Sequence, residues 1–209
     1  MFTGLVEKTQ SDRDAAMRAM FRARKEVFVD LLKWDLPVLD GRFELDQFDN
    51  PDASYLILVD EDGAHRASAR LLRTDQPHLL GDIYPHLCAG PVPTGPHIRE
   101  ITRFCLDRHQ SALSRRIARD QLVTALCTYA LSAGISEYTG VAETSWFDQV
   151  RRFGWECKAL GPAVRVEGRW LVGLHILIDE ETPDRLRRGG VYETASLALH
   201  APAARELVQ

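Results

Sequence analysis

Two carboxylates stand three residues apart in a short polar segment of this chain. Asp46 and Asp49 lie within FELDQFDNPDASYLILVDEDG, in a proline-broken stretch that precedes an apolar run at residues 55–59. An acidic pair in such a loop is either an ordinary solvated surface or two carboxylates held at the mouth of a site. In a site they would bind a cationic group or a hydrogen-bond donor. Their spacing leaves both interpretations open.

A second charged pair occurs in HIREITRFCLD, residues 97–107, which predicts a strand. Strict alternation would place Glu100 and Arg103 on opposite faces, and each face would then mix charged with apolar groups. One extra residue between the two, a β-bulge, would bring them to the same side and leave backbone N–H groups unpaired. Such N–H groups can stabilise an oxyanion. The alternative is a regular strand with an interstrand ion pair.

A third feature is an arginine on the apolar side of a predicted helix. Residues 12–33 carry apolar side chains at spacings of three and four, which is typical of an amphipathic helix. Arg24 falls on the apolar stripe, between Phe21 and Phe28. A charge in that position either extends along the surface to water or requires a buried partner.

The rest of the pattern predicts the elements that position these residues. A loop at residues 35–52 precedes strands at SYLILVD and HRASARLLR, which are joined by a turn at EDG, and a long loop follows at residues 75–96. The helix SALSRRIARDQLVTALCTYALSAG ends at Gly134. A short strand at residues 135–142, a helix near 145–153 and closing strands at WECKALG and RWLVGLHILI come next.

This order of elements predicts an α/β fold, an α+β sandwich with one mixed sheet, in a single domain over residues 1–209. A hydrophobic content of 45% and a charged content of 27% are those of a globular protein. The net charge of -4 gives no general reason to expect nucleic-acid binding. The four cysteines are too widely spaced for a zinc site or a disulfide framework. Without a signal-peptide pattern or a membrane-spanning apolar run, we expect a cytoplasmic protein.

Eight residues taken together resemble the pattern of LuxI-type acyl-homoserine-lactone synthases, bacterial enzymes that make quorum-sensing signals. In family order and at family-like spacing they are Arg24, Phe28, Trp34, Asp46, Asp49, Arg70, Glu100 and Arg103. The C-terminal half is similar in layout, including RRFGWECKALG after a helix. The resemblance implies a fold like that of the GNAT N-acyltransferases, with helices on both faces of a mixed sheet that splays at a bulged strand.

The resemblance also implies two substrates and no separate cofactor: S-adenosylmethionine and an acyl thioester of acyl carrier protein or coenzyme A. The methionine amine would attack the thioester and form an amide. The methionine carboxylate would then displace methylthioadenosine and close the lactone. Glu100, acting through water, would accept the amine proton, and the N–H groups of the bulge beside Arg103 would stabilise the oxyanion.

The other matched residues would bind substrate. Phe28 and Trp34 would present aromatic faces to the adenine or the sulfonium. Asp46 and Asp49 would hold cationic groups directly or fix the arginines in place. We expect the charged members to form one connected network, which would comprise Arg24, Asp46, Asp49, Arg70 and Arg103.

Two further expectations concern the acyl donor. Gly140, counted back from Gly154, stands where family members that make 3-oxo signals typically carry threonine, which favours an unsubstituted acyl chain. Thr139 is adjacent, so a shift of one residue would restore a hydroxyl. An acidic carrier protein would dock on basic side chains, although a solvated helix face or coenzyme A phosphates would fit them equally. The candidates are Arg115, Arg116, Arg119, Arg151, Arg152 and Lys158.

Two other functions are compatible with the same fold. One is a GNAT-type N-acyltransferase that uses acyl-coenzyme A on another amine. The usual Gly-rich pyrophosphate loop before the long helix is replaced by DRHQSALSRRIARD, which has no glycine, and this disfavours that function. The other is a catalytically silent binding module, against which the intact Glu100 and Arg103 argue.

Overall fold

The computed structural model describes residues 9–194 and 199–202. The α-helices are α1 (Gln10–Arg24), α2 (Leu79–Asp82), α3 (Ala112–Ala133), α4 (Thr144–Val150) and α5 (Thr182–Arg188). A π-helix spans Lys25–Leu31, and 3-10 helices span Pro85–Leu87 and Arg151–Phe153. The strands are β1 (Val38–Leu39), β2 (Phe43–Glu44), β3 (Ser54–Val59), β4 (His65–Arg73), β5 (Ile98–Leu106), β6 (Glu137–Glu143), β7 (Glu156–Ala159), β8 (Val164–Val166), β9 (Arg169–Leu177) and β10 (Leu199–Pro202).

The main sheet is mixed, as the order of elements predicts. Its strands are hydrogen-bonded in the order β10-β3-β4-β5-β6-β9-β7, and β8 pairs with β9. The β5–β6 pair is parallel, whereas β9 runs antiparallel to both β6 and β7. The small hairpin β1–β2 lies inside the segment 35–52 that was predicted to be a loop. No helix within the described ranges is long and apolar enough to cross a membrane.

The chain divides into two compact units. The first unit comprises the described residues up to Arg70, the segment Arg103–Ala125 and the described residues from Glu193 onward. The second unit comprises Leu71–Thr102 and Leu126–Tyr192. The chain passes between the units within β4, β5 and α3. The single domain over residues 1–209 stays a prediction.

In the first unit, α1 packs on β2 and β3. Its buried face carries Met17, Met20 and Phe21, and Phe21 makes an edge-to-face contact with Tyr55 of β3 at a centroid distance of 6.1 Å. The helix begins at a capping box in which Thr9 and Asp12 satisfy each other's backbone N–H groups. The predicted helix over residues 12–33 is therefore confirmed, except that its last turns are π-helical.

In the second unit, helices cover both faces of the sheet. The Tyr138 hydroxyl donates to the carbonyl of Leu126 in α3. The other face is that of Thr139, which neighbours Tyr138 in β6 and pairs in register with Glu100. The Glu100 carboxylate contacts α2, so α2 lies on this second face. The long helix α3 ends before Gly134, whose φ of 67° is the left-handed conformation typical of a helix C-terminus.

Candidate active site

The first unit buries a closed network of six charged side chains, which we call the charge network. Five of its members are those that the sequence predicts to be connected, and the sixth is a glutamate that the prediction missed. Their side chains are between 0% and 6% exposed. The members are Arg24, Arg70, Arg103, Glu44, Asp46 and Asp49.

Arg24 is the innermost cation of the network. Its Nη1 and Nη2 donate to the two oxygens of Asp49, each at 2.8 Å, and its Nε donates to Glu44 Oε2 at 2.5 Å. Burial alone would lower the pKa of Arg24, but the attraction of Asp49 and Glu44 outweighs it and raises the pKa above its usual value. Arg24 thus has the buried partners that its place on an apolar stripe requires.

The other two arginines connect the remaining carboxylates. Arg70 donates through Nη1 and Nη2 to Asp46, at 2.6 and 3.1 Å, and its Nη1 lies 2.9 Å from Asp49. Arg103 bridges Glu44 and Asp46, with Nη2 at 2.9 Å and 2.7 Å from their oxygens. Because each carboxylate contacts two guanidinium groups, the six side chains form one unit rather than three separate pairs.

The acidic loop is folded by its own side chains. Asp46 accepts a hydrogen bond from the Phe48 N–H at 2.8 Å, and Asp49 accepts one from the Asp46 N–H at 2.9 Å. Tyr55, which is fully buried, donates its hydroxyl to Asp49 at 2.7 Å. Burial raises the pKa of Asp49, but Arg24 and Arg70 outweigh this effect and hold the pKa well below its usual value. Asp49 is therefore charged at neutral pH.

The charge balance of the network decides what its carboxylates bind. Oxygens of Glu44, Asp46 and Asp49 lie close enough together to hold a metal ion. Three guanidinium groups occupy that place, and their three positive charges balance the three negative ones. The aspartates thus fix arginines instead of offering open ligands to a cation, which answers the question raised by their spacing.

The aromatic pair lies where the α-helix becomes a π-helix. Phe28 is buried in the π-helix, and Trp34 stacks on it with a centroid distance of 5.0 Å and an interplanar angle of 24°. The backbone N–H of Trp34 donates to the backbone carbonyl of Phe28 at 2.9 Å, which fixes the chain just after the π-helix. The Arg103 guanidinium lies 5.6 Å from the centroid of Phe28. The π-helix, a feature frequent at functional sites, thus joins the aromatic pair to the charge network.

In the second unit, Glu100 anchors a helix. Its side chain is fully buried, and its two oxygens accept hydrogen bonds from the N–H groups of Leu79 and Leu80, at 2.8 and 2.7 Å. These are N–H groups at the start of α2, which have no partner within their own helix. Glu100 thereby positions α2 within the segment 75–96. Its role as the base for the amine stays a prediction.

The strand β5 is irregular, as its mixed pattern suggests. In the second unit it pairs with β6 from Ile98 to Glu100, whereas β6 stays paired with β9 as far as Glu143. In the first unit, Arg103 has a φ of 50°, in the left-handed region that arginine rarely adopts. A bulge that brings Glu100 and Arg103 to one side stays a prediction.

Gly140 has a packing reason to be glycine. A Cβ at this position would lie 2.9 Å from the backbone oxygen of Ile101, so a threonine there would require the backbone to move. The absence of a side chain at 140 therefore reports a close approach of two backbone segments in the second unit. Thr139 is fully buried, and its hydroxyl has no hydrogen-bond partner among the described residues.

The basic residues predicted to bind a carrier lie in different units. Arg115 and Arg116 are exposed on α3 in the first unit, where Arg119 pairs with Asp120. The remaining candidates are exposed in the second unit: Arg151, Arg152 and Lys158. Carrier docking on these side chains stays a prediction.

Known proteins resemble this chain over most of its length. The autoinducer synthase family model matches residues 8–186. An acyl-homoserine-lactone synthase from Ralstonia nicotianae is 36% identical over 177 residues, which cover 81% of this chain and 85% of the relative. The solved structure of BjaI, a CoA-dependent acyl-homoserine lactone synthase, holds SAM and isopentyl-CoA. It superposes with a TM-score of 0.74 at 29% identity and covers 90% of this chain and 89% of BjaI.

A more distant likeness concerns the fold alone. The structure of an acyl-CoA N-acyltransferase from Pseudomonas aeruginosa superposes with a TM-score of 0.52 at 17% identity, over 83% of this chain and 95% of that protein. Together with the mixed sheet and its helices, this likeness confirms the GNAT-like fold that the sequence predicts.

Proposed function

We propose that this chain, which belongs to the autoinducer synthase family, makes N-acyl-homoserine lactone from S-adenosylmethionine and an acyl thioester. The observation that carries the proposal is the charge network with the aromatic pair beside it. The family match supplies the reaction, and the contacts within the first unit, which join seven of the eight matched residues, support the proposal.

In this proposal, the aromatic pair and Arg103 bind S-adenosylmethionine. Phe28 stacks on Trp34 and lies 5.6 Å from the guanidinium of Arg103, and aromatic faces attract a sulfonium or stack on adenine. Arg103 donates through Nε and Nη2 to the network, and its Nη1 makes no hydrogen bond within the described part of the chain. That Nη1 is available to the methionine carboxylate, and charge-assisted hydrogen bonds of this kind are strong.

The first chemical step is acyl transfer. The neutral methionine amine attacks the thioester carbonyl, its nitrogen forms the amide bond, and the carbon–sulfur bond of the thioester breaks to release the thiol carrier. The amine must lose a proton before or during attack, and we assign that proton to Glu100 through a water. The Glu100 oxygens accept two backbone hydrogen bonds, which hold the carboxylate in one orientation.

The second step is lactone formation. A carboxylate oxygen of the acylated methionine attacks the γ-carbon, the bond from that carbon to the sulfonium breaks, and methylthioadenosine leaves as a neutral thioether. Because a sulfonium is a good leaving group, this step needs mainly a folded substrate, and a fixed Arg103 on the carboxylate would provide that orientation. Both reacting molecules are substrates, and the scheme requires no further cofactor.

The donor is an acyl thioester of coenzyme A or of acyl carrier protein, and we place the reaction in the cytoplasm. The likeness to BjaI, a CoA-dependent synthase, makes acyl-coenzyme A the first donor to test. The exposed Arg115 and Arg116 on α3 are suited to either donor, because phosphates and an acidic carrier both attract cations. The unsubstituted acyl chain expected from Gly140 is kept as part of this proposal.

Mass spectrometry of organic extracts from a host that expresses the chain tests the proposal. We expect N-acyl-homoserine lactones that are absent from a host carrying the empty vector. A purified, folded protein that forms neither lactone nor methylthioadenosine across a broad panel of donors would overturn it. An acylated amine without methylthioadenosine would favour the alternative N-acyltransferase, and substrate binding without turnover would favour a silent binding module.

A further inference from the structure

Arg103 occupies a backbone conformation that is unfavourable for a residue with a side chain. Its φ of 50° lies in the left-handed region, where the Cβ crowds the following carbonyl. Such residues persist when the surrounding structure holds them, and they cluster at functional sites. Some contact of Arg103 must therefore compensate for its conformation.

Glu44 makes three of the four hydrogen bonds that hold the Arg103 side chain within the described residues. Both Glu44 oxygens lie 3.2 Å from Arg103 Nε, and Glu44 Oε1 lies 2.9 Å from Arg103 Nη2. The carboxylate therefore binds the side of the guanidinium that carries Nε and Nη2. Glu44 is fully buried and is itself held by Arg24 at 2.5 Å. It belongs to the two-residue strand β2, where it pairs with Val38 of β1.

Because Glu44 binds the Nε and Nη2 side of the Arg103 guanidinium, it determines which nitrogen is left for a ligand. Nε and Nη2 are used by Glu44 and Asp46, whereas Nη1 makes no hydrogen bond to any described residue. The guanidinium also lies over Phe28 at 5.6 Å. We propose that Glu44 is the positioning residue that orients Arg103 and thereby directs its Nη1 to the carboxylate of S-adenosylmethionine. The inference rests on the proposed function, and it adds a residue outside the eight that match the family pattern.

Two substitutions separate the effect of the Glu44 charge from the effect of its side-chain length. Glu44→Asp keeps the negative charge but is shorter by one methylene, so Arg103 must shift or lose a hydrogen bond. Glu44→Gln keeps the length but removes the charge, which leaves Arg24 and Arg103 with one carboxylate fewer to share. If Glu44 served only stability, its substitution would lower the thermal unfolding midpoint but leave the Kd of the folded variant for S-adenosylmethionine unchanged.

Tyr55→Phe is the matched control. The Tyr55 hydroxyl donates to Asp49 at 2.7 Å and lies in the same unit, and the described hydrogen bonds of Arg103 do not include it. Its removal costs a buried hydrogen bond to a charged group, as Glu44→Asp does, but leaves the Glu44–Arg103 contact intact. Any effect that follows from a general loosening of the network should appear in both variants.

The test measures the Kd for S-adenosylmethionine, the KM and kcat for methylthioadenosine release, and the thermal unfolding midpoint of the wild type and the three variants. We expect Glu44→Asp and Glu44→Gln to raise the Kd and KM for S-adenosylmethionine by about tenfold or more, the loss of one hydrogen bond to a charged group. The KM for the acyl donor should change by less than about threefold, and Tyr55→Phe should change the Kd by less than about threefold.

A folded Glu44→Asp with a Kd within about threefold of wild type would overturn the inference, as would an equal loss of affinity in Tyr55→Phe. If neither Glu44 variant folds while Tyr55→Phe does, Glu44 serves stability and the inference fails as well. A wild-type protein that neither binds S-adenosylmethionine nor releases methylthioadenosine would instead refute the proposed function. The two failures are therefore distinguishable.

Discussion

Asp49 and Glu100 are both buried carboxylates, but the two units satisfy them in different ways. In the first unit Asp49 is surrounded by charge: it accepts a bidentate pair from Arg24 and lies 2.9 Å from Arg70. In the second unit Glu100 accepts N–H groups from Leu79 and Leu80 at the start of a helix. Asp49 is one element of a balanced set of ions, whereas Glu100 joins one segment of backbone to a strand.

The difference indicates which property of each carboxylate the molecule depends on. Removing the charge of Asp49 leaves three buried guanidinium groups with only two carboxylates, so folding should suffer first. Removing the charge of Glu100 weakens the hydrogen bonds that its oxygens accept from the Leu79 and Leu80 N–H groups, so the position of α2 should suffer first.

The largest effect is expected from Glu100→Gln. If Glu100 accepts the amine proton, turnover at neutral pH should fall by about two to four orders of magnitude, with smaller changes in S-adenosylmethionine affinity. The defect should shrink at higher pH, where the free amine forms without help. The measurement is the pH profile of single-turnover acylation, with the half-exposed Glu143 changed to Gln as the control. A constant offset from wild type at every pH would leave Glu100 as an anchor for α2 alone.

Asp49→Asn should have the next largest effect, and on stability. Breaking a buried ion pair typically costs about 3–5 kcal/mol, because an uncompensated charge stays inside. Denaturant unfolding of the variant measures this cost. Asp75→Asn, which breaks the exposed pair with Arg73, should leave the unfolding curve unchanged. If the two variants had the same denaturant unfolding curve, Asp49 would behave as a surface carboxylate, which would contradict its role in a buried ion network.

A third buried group, His65 in the first unit, should make the stability of the protein depend on pH. Burial lowers its pKa from 6.5 to about 4, only partly offset by Asp107, so the folded state keeps this imidazole neutral. The unfolded state binds the proton first, so the contribution to stability is complete above pH 6.5 and is lost as the pH falls towards 4, by about 3 kcal/mol at most. Unfolding of wild type and His65→Gln at several pH values measures this loss. If the free energy of unfolding changed equally with pH in both proteins between pH 4 and 6.5, the buried, neutral histidine would be refuted.

The smallest effect is expected in the second unit, at Gly140. Gly140→Ala places a Cβ 2.9 Å from the Ile101 oxygen, and overpacking of this kind costs about 1–3 kcal/mol. Gly90→Ala is the control, because a Cβ there meets nothing within 4 Å. Gly140→Ala should therefore have a lower free energy of unfolding than Gly90→Ala. A stable Gly140→Ala with an altered acyl-chain preference would instead support a role in the acyl pocket.

The network was predictable in part because an isolated charge on an apolar face needs a partner. Arg24 stands among apolar residues of α1, and the sequence offers Asp46 and Asp49 as partners. Glu44 escaped prediction because it is adjacent to Phe43 in a segment that looked like a solvated loop, and its burial depends on the β1–β2 hairpin. The hydroxyl of Tyr55 was missed for a similar reason, since the residue also fits an ordinary core strand.

The contact of Glu100 with α2 could not be predicted because it is made to backbone N–H groups. The N–H groups of Leu79 and Leu80 have no signature in the sequence, and the prolines and glycines of residues 75–96 concealed the short helix α2. The π-helix was hidden similarly, because the apolar spacing of residues 12–33 also fits a plain α-helix. The fold class was accessible because element order and apolar periodicity are properties of the whole chain.

The most direct test of the account follows both products in one reaction. Purified protein is mixed with S-adenosylmethionine and an acyl thioester, and N-acyl-homoserine lactone and methylthioadenosine are quantified together over time. We expect the two products to appear in equal amounts, and we expect each to require both substrates. Methylthioadenosine released without the acyl donor, or an acylated product formed without methylthioadenosine, would contradict it.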